Sequence, residues 1–223
     1  MNALTEKVEN GKLKIVDTKL YPSRMDRIVK LLRDDSNLTS LELSYCTMDL
    51  PEMQKLMNAL AGNSTVKTLR LYDCDIWPKE TTLLSDMLKR NSTLLTLVVC
   101  YNHIGNIGVR YLADALSYNC TITSVTFYSN NIGVDGKRYL LQSLRMNASI
   151  LKYFGDLPQI QTILIRNSRG LKATRAAALC LMIIQRRDES SWLKHIGKDV
   201  TRLIAKMVWQ TRGQREWLCA VKE

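Results

Sequence analysis

Aromatic residues make up only 7% of the 223 positions, and just two of them are phenylalanine. A core in this chain is therefore built mostly from Leu, Ile, Val and Met. Four prolines and ten glycines are too few for a long flexible linker. No stretch approaches the roughly 18 consecutive apolar residues of a membrane span, the longest candidate being Ala176–Ile184. Met1–Tyr21 carries charges throughout and lacks the apolar run of a secretory signal. The six cysteines show no CxxC and do not pair by spacing, which argues against zinc and disulfide frameworks and for a reducing, cytoplasmic compartment. Histidine is almost absent: His103 and His195 lie far apart in the chain, and His103 is expected in a surface turn. With no nucleophile motif, phosphate-binding glycine loop or metal spacing, neither an enzyme nor a cofactor is expected.

Charge is present in excess of one sign. Residues 1–163 hold 19 Lys and Arg against 16 Asp and Glu, whereas residues 164–223 hold 13 against 5. The net charge of +11 is thus mainly a property of the carboxy-terminal segment. Such a segment attracts nucleic acid, acidic protein or anionic lipid, or is simply a solvated basic helical face.

The chain also has strong self-similarity. Ser36, Ser64, Ser92 and Cys120 each open a 28-residue block patterned S-x-L-x-x-L-x-L-x-x-C/N-x-I. Its apolar positions are Leu38, Leu41 and Leu43, then Val66, Leu69 and Leu71, then Leu94, Leu97 and Val99, and lastly Ile122, Val125 and Phe127. Cys46, Cys74, Asn102 and Asn130 fill the C/N position. The alternating L-x-L stretch predicts a short strand with one buried face. The second half of each block has helical spacing, as in Leu112, Ala115 and Leu116, or Leu140, Leu141 and Leu144. One strand and one helix cannot bury their apolar faces alone, so the units must stack. The Cys or Asn is expected to point inward and satisfy backbone groups of the turn. Upstream, Leu13, Ile15 and Leu20 fall on the strand phase, and Met25, Ile28 and Leu32 on the helix phase, of a diluted capping unit. Downstream, Ile150, Tyr153 and Phe154 start a further strand, followed by a helix over Asp156–Asn167.

Two quoted segments, "NHIGNIGVRYLADALSYN" at Asn102–Asn119 and "NNIGVDGKRYLLQSL" at Asn130–Leu144, carry a family resemblance. The chain resembles the ribonuclease-inhibitor-like class of leucine-rich-repeat proteins, with architectures also found among effectors that bacteria deliver into host cells. The resemblance implies an α/β fold: a right-handed leucine-rich-repeat solenoid, parallel sheet inside and helices outside, that grips proteins. The expected solenoid spans residues 8–167, and residues 168–223 form a basic, all-helical carboxy-terminal cap or subdomain. Cys46 and Cys74 replace Asn in the early units, and "MDLPEMQ" and "IWPKETT" replace the glycine-containing turn, so those two turns are expected to differ in shape.

Asn63, Asn91, Asn119 and Asn147 each begin an N-x-S/T sequon. Because they recur with the repeat, they are expected to end each helix in left-handed geometry rather than to carry glycans.

Strand residues between the buried leucines are expected on the concave face: Glu42, Ser44 and Tyr45; Arg70, Tyr72 and Asp73; Val98, Cys100 and Tyr101; Thr126, Tyr128 and Ser129. One row across the strands reads Ser44, Tyr72, Cys100, Tyr128, and the next reads Tyr45, Asp73, Tyr101, Ser129. Four tyrosines in adjacent rows suit a protein-binding hot spot, although tyrosine is also a good strand residue in its own right. Cys100 is a candidate thiol with no base placed beside it by the sequence.

In the carboxy-terminal segment, Leu171–Arg187 reads as a helix. Beyond it, Ile196, Val200, Leu203, Ile204, Met207 and Val208 share one helical face, with Lys198, Arg202 and Lys206 opposite. Three readings stand side by side: a cap on the last repeat, an adaptor, since "IGKDVTRLIAKMVW" resembles the first helix of F-box-type recruitment motifs, or a basic amphipathic helix for nucleic acid or anionic membrane. The expected principal function is a protein-interaction module holding a protein partner; the oligomeric state is left open.

Overall fold

The computed structural model describes residues 8–155, 157 and 159–172. The chain divides into two compact units, Met1–Ile160 and Gln161–Glu223.

In the first unit, strands and helices alternate: β1 Val8–Glu9, β2 Lys12–Lys19, α1 Pro22–Asp34, β3 Ser40–Thr47, α2 Leu50–Ala61, β4 Thr68–Tyr72, α3 Pro78–Arg90, β5 Thr96–Cys100, α4 Gly105–Tyr118, β6 Ser124–Thr126, α5 Val134–Met146 and β7 Lys152–Phe154. The strands form one sheet in sequence order. From β2 to β7 every pairing is parallel and shifts by one repeat, so that Leu13, Leu41, Leu69, Leu97, Val125 and Tyr153 form one row across the sheet. Only β1 is antiparallel, folding back on β2 through Asn10 and Gly11, both left-handed. That tight hairpin covers the otherwise open edge of β2.

The core follows the two periods of the repeat. Every apolar position of the four blocks is buried, and so are Leu13, Ile15, Leu20, Met25, Ile28 and Leu32 of the diluted first unit. On the helices, Leu112, Ala115, Leu116, Leu140 and Leu144 are buried, while Leu141 is half-buried at the margin of its stripe. Pro22, Pro51 and Pro78 stand in the first turn of α1, α2 and α3, where a missing N–H leaves no intrahelical bond unmade. Helices α4 and α5 lack that proline and instead place Gly108 and Gly136 at close approaches to the preceding unit. A β-carbon on Gly136 would lie 2.6 Å from Asn106 Oδ1 and 2.8 Å from both Ile132 Cγ2 and Val109 Cγ1. The two kinds of turn thus differ, as the departures of "MDLPEMQ" and "IWPKETT" implied.

Two ladders of buried polar side chains tie the units together. At the strand ends, Cys46 Sγ donates to Ile15 O, Cys74 Sγ to Leu43 O, Asn102 Nδ2 to Leu71 O and Asn130 Nδ2 to Val99 O, each 31 residues back. At the helix ends, Asn63, Asn91, Asn119 and Asn147 donate from Nδ2 to Leu32, Leu60, Leu88 and Leu116 O, again 31 residues back, at 2.7–2.8 Å. Their Oδ1 atoms accept from the N–H groups that begin the next strand approach, as Asn91 does from Thr93 and Leu94. The helix-end asparagines depart from the expected left-handed geometry: Asn91, Asn119 and Asn147 are extended, with φ between −74° and −89°. Asparagine is selected here by its two-sided amide, not by its tolerance of positive φ. Its amide nitrogen is buried and engaged, which leaves these sequons closed to a glycan in the folded chain.

Cys46, Cys74 and Cys100 are free and buried.

Helical backbone covers residues 160–172, with Leu157 outside it, so this helix begins later than Asp156. Leu157 precedes a proline in the sequence, a position disfavoured in helical geometry. No helix among the described residues is long and apolar enough to cross a membrane. The readings placed on residues 173–223 lie outside the described residues.

Candidate functional site

The strand face opposite the buried leucines carries side chains in rows set by the parallel register. The first row runs Lys14, Glu42, Arg70, Val98, Thr126, Phe154. Lys14 Nζ lies 2.7 Å from Glu42 Oε1, and the hydrogen bond and charge of Glu42 push the Lys14 pKa above its ordinary value. Ser44 Oγ donates to the same carboxylate at 3.4 Å. The second row runs Val16, Ser44, Tyr72, Cys100, with Tyr128 following in phase.

Asp17, Tyr45, Asp73, Tyr101 and Ser129 stand one residue further along, one repeat apart, and all five have φ between 48° and 56°. A left-handed residue at a strand end breaks the alternation of faces. This is how two successive residues, such as Ser44 and Tyr45, leave the same side. Strand ends are held by bonds such as Asp73 N–H to Cys100 O and Tyr101 N–H to Tyr128 O, at 3.0 and 3.1 Å.

Three of the expected face residues are not available to a partner. Ser44, Val98 and Cys100 are 6%, 7% and 4% exposed. Each is a short side chain with at least one taller neighbour about 4.8 Å away across the sheet: Ser44 beside Tyr72, Cys100 beside Tyr72, and Val98 beside Arg70. Burial also pushes the Cys100 thiol pKa up, which disfavours the thiolate that reacts. Glu42, Arg70, Tyr72 and Thr126 are half-buried, and Asp73 and Ser129 are exposed.

What does stand out is aromatic. Tyr45, Tyr101 and Tyr128 are 61%, 55% and 55% exposed. The rings of Tyr101 and Tyr128 meet edge to face at 5.7 Å. The turn beyond adds residues that the repeat pattern did not mark. Trp77, 52% exposed, stacks on His103 at 4.6 Å. Its Nε1 donates to Asp75 Oδ1 at 2.6 Å, and His103 Nε2 lies 3.8 Å from the same oxygen. Trp77 occupies a position where later repeats have glycine, Gly105 and Gly133, so the departure "IWPKETT" was itself the available signal. The result is a ridge of tyrosines and a tryptophan along the carboxy-terminal ends of the strands.

On the helix side, Asn106, Ile107, Arg110, Tyr111, Asp135 and Tyr139 line a groove of about 600 Å³ between α4 and α5, where the Arg110 guanidinium sits 5.4 Å from the Tyr139 ring centre. Among the described residues, no group of three or more His, Cys, Asp or Glu could hold a metal ion. Lys198, Arg202 and Lys206 lie outside the described residues.

Residues 90–113 match the family model described as Leucine Rich repeat. No curated protein sequence matches the chain. Among solved structures it is similar to leiomodin-1 Actin-Binding Site 2, at 22% identity and a TM-score of 0.67, over 73% of this chain and 99% of that one. It is also similar to the tropomodulin C-terminal domain of Caenorhabditis elegans, at 14% identity and a TM-score of 0.60, over 68% and 98%. At these identities it is the fold that is shared: an α/β, leucine-rich-repeat-like arrangement of a parallel sheet and its helices.

Proposed function

We propose that this chain is a protein-interaction module, without catalytic activity of its own, that holds its partner along the aromatic ridge and the adjoining sheet face. The observation that carries the reading is the exposure of Tyr45, Tyr101 and Tyr128 together with Trp77 at one sheet edge. Large aromatic side chains are the residues that most often dominate protein interfaces, and clustered exposure of this kind usually marks a contact surface. Glu42, Arg70, Tyr72, Asp73, Thr126 and Ser129 supply the polar surroundings of that ridge.

The test is capture from cell lysate by the full chain beside a Tyr45→Ala/Tyr101→Ala variant. Both side chains are mostly exposed, so the variant is expected to melt with the unchanged chain and yet lose its partner. Equal capture by a folded variant would move the interface away from the ridge.

A second reading names a first partner to try. The leiomodin-1 domain that shares the fold is described as an actin-binding site. Co-sedimentation with actin filaments, with the ridge variant as control, tests whether that property extends to this chain. An adaptor or host-targeted effector role, and binding of nucleic acid or anionic membrane, rest on the basic segment and the family resemblance. Nucleic-acid affinity would fall steeply with salt and would be indifferent to the Tyr45→Ala/Tyr101→Ala variant.

A further inference from the structure

The ridge is acidic as well as aromatic. Asp17 and Asp73 alternate with Tyr45 and Tyr101 along the left-handed row, and Asp49 and Asp75 lie in the turns just beyond. Among the described residues, no Lys or Arg nitrogen comes within 4 Å of the carboxylates of Asp17, Asp73 or Asp75. Lys19, at the end of β2, shows what the surface accepts. Its Nζ lies 3.3 Å from Asp49 Oδ2 and 5.8 Å from the centre of the Tyr21 ring. Carboxylate and ring thus share one cation at the first end of the ridge. The same pairing of acid and aromatic recurs farther along, at Tyr45 beside Asp73 and at Trp77 beside Asp75, without a cation from the described chain. Asp75 also holds the Trp77 indole in place and His103 stacks against it, so that ring is ordered before any partner arrives.

We propose that the partner segment held by this ridge is an extended, lysine- or arginine-bearing stretch of another protein, its cations seated between the carboxylates and the aromatic rings. This rests on the protein-binding reading above and names the chemistry of the ligand. A cation over an exposed aromatic ring is attracted by the negative face of the ring, and the adjacent carboxylate adds a charge-assisted hydrogen bond. An acidic segment would instead face four aspartates. From Asp17 to Ser129 the row crosses four strand spacings, about 19 Å at roughly 4.8 Å each, or about six residues of extended chain. Several cations at alternate positions of such a segment reach the row together.

The test uses fluorescence anisotropy of two labelled peptides against the full chain at physiological salt: one alternating arginine with serine, the other glutamate with serine. The arginine probe is expected to bind, and Asp73→Asn/Asp75→Asn to weaken it by about tenfold, the equivalent of losing about 1.4 kcal/mol. Tyr45→Ala/Tyr101→Ala should weaken it comparably. Asp34→Asn/Asp86→Asn, which changes net charge equally on the helices, should leave the affinity within about twofold, since surface charges this distant are screened. The glutamate probe can bind elsewhere on a chain of net charge +11, and that binding is expected to ignore all three pairs of substitutions. Equal weakening by the helix-side pair, no binding of the arginine probe, or a glutamate probe that depends on Tyr45 and Tyr101 would each overturn the proposal. If the arginine probe fails while lysate capture still requires Tyr45 and Tyr101, the basic-segment inference falls and the protein-binding function stands. If both fail, the ridge is not the interface.

Discussion

Asn119 shows what a single residue does in this chain. Its Nδ2 donates to Leu88 O at 2.8 Å and to Asn91 O at 3.2 Å, while Oδ1 accepts from the N–H groups of Thr121 and Ile122 at 3.0 and 2.9 Å. Alanine there would leave buried backbone groups without partners, at about 1–3 kcal/mol each. Asn119→Ala is therefore expected to lower the unfolding free energy by about 2–4 kcal/mol in a denaturant titration. Tyr45→Ala, on the exposed ridge, should change it by less than about 0.5 kcal/mol. The regular recurrence made Asn119 legible as a structural position. It did not reveal the partner atoms, which belong to the preceding units, and the left-handed geometry anticipated for it is not adopted. The strand-end ladder has a pH signature as well. Burial pushes the Cys74 thiol up to about 12 from an ordinary 9.0. The unfolded chain loses that proton first, so this thiol's contribution to stability is complete below about pH 9 and declines as pH rises toward 12. The unfolding free energy of the whole chain is expected to fall across that window. Cys74→Ser, which removes the titration there, should flatten the decline in paired urea titrations at pH 8 and pH 10.

At the scale of elements, close approach sets the constraints. Gly11 adopts φ 72°, and a β-carbon on it would sit 2.5 Å from Asn37 O. Its own carbonyl accepts from the N–H groups of Thr39 and Ser40. Gly11→Ala is expected to destabilise the chain by about 2 kcal/mol and to expose the edge of β2, which faster amide exchange over Leu13–Ile15 would reveal. Gly136→Ala on α5 meets three atoms closer than 3.0 Å and should cost about 1–3 kcal/mol through overpacking. Thermal melts of the variant decide whether the neighbouring helix can give way. Strand and helix phases were legible from the repeat, since periods of 2 and 3.6 come from backbone geometry alone. The accessible face was legible only in part. Alternation marks Ser44, Val98 and Cys100 as facing away from the core, but whether they reach solvent depends on the height of side chains one strand over. Trp77 was invisible to the pattern for the opposite reason, because it stands where the repeat is broken.

At the scale of the molecule, the first unit is a stack in which each repeat touches its neighbours. Contacts run β2 to β3, β3 to β4 and onward, and α1 to α2 through α4 to α5, in chain order. Stability in such an array is a sum of unit and interface contributions. Leu97 is fully buried in β5, an interior strand paired on both sides. Leu97→Ala is expected to cost about 3–5 kcal/mol and to lower hydrogen-exchange protection in β4, β5 and β6 more than in β2. Uniform loss of protection would mean that the stack unfolds as one cooperative body instead.

The sequence by itself determined the repeating unit and its length, the alternation of strand and helix, the buried leucine rows and the inward Cys/Asn position. All of these follow from local backbone periods, from the insolubility of apolar side chains in water and from the need to satisfy buried amides. Only the tertiary structure decided which amide meets which carbonyl, which face residues are shaded by their neighbours, and that Trp77, His103 and Asp75 join the tyrosine ridge. Those features depend on distances between units that are adjacent in space while lying a full repeat or more apart along the chain.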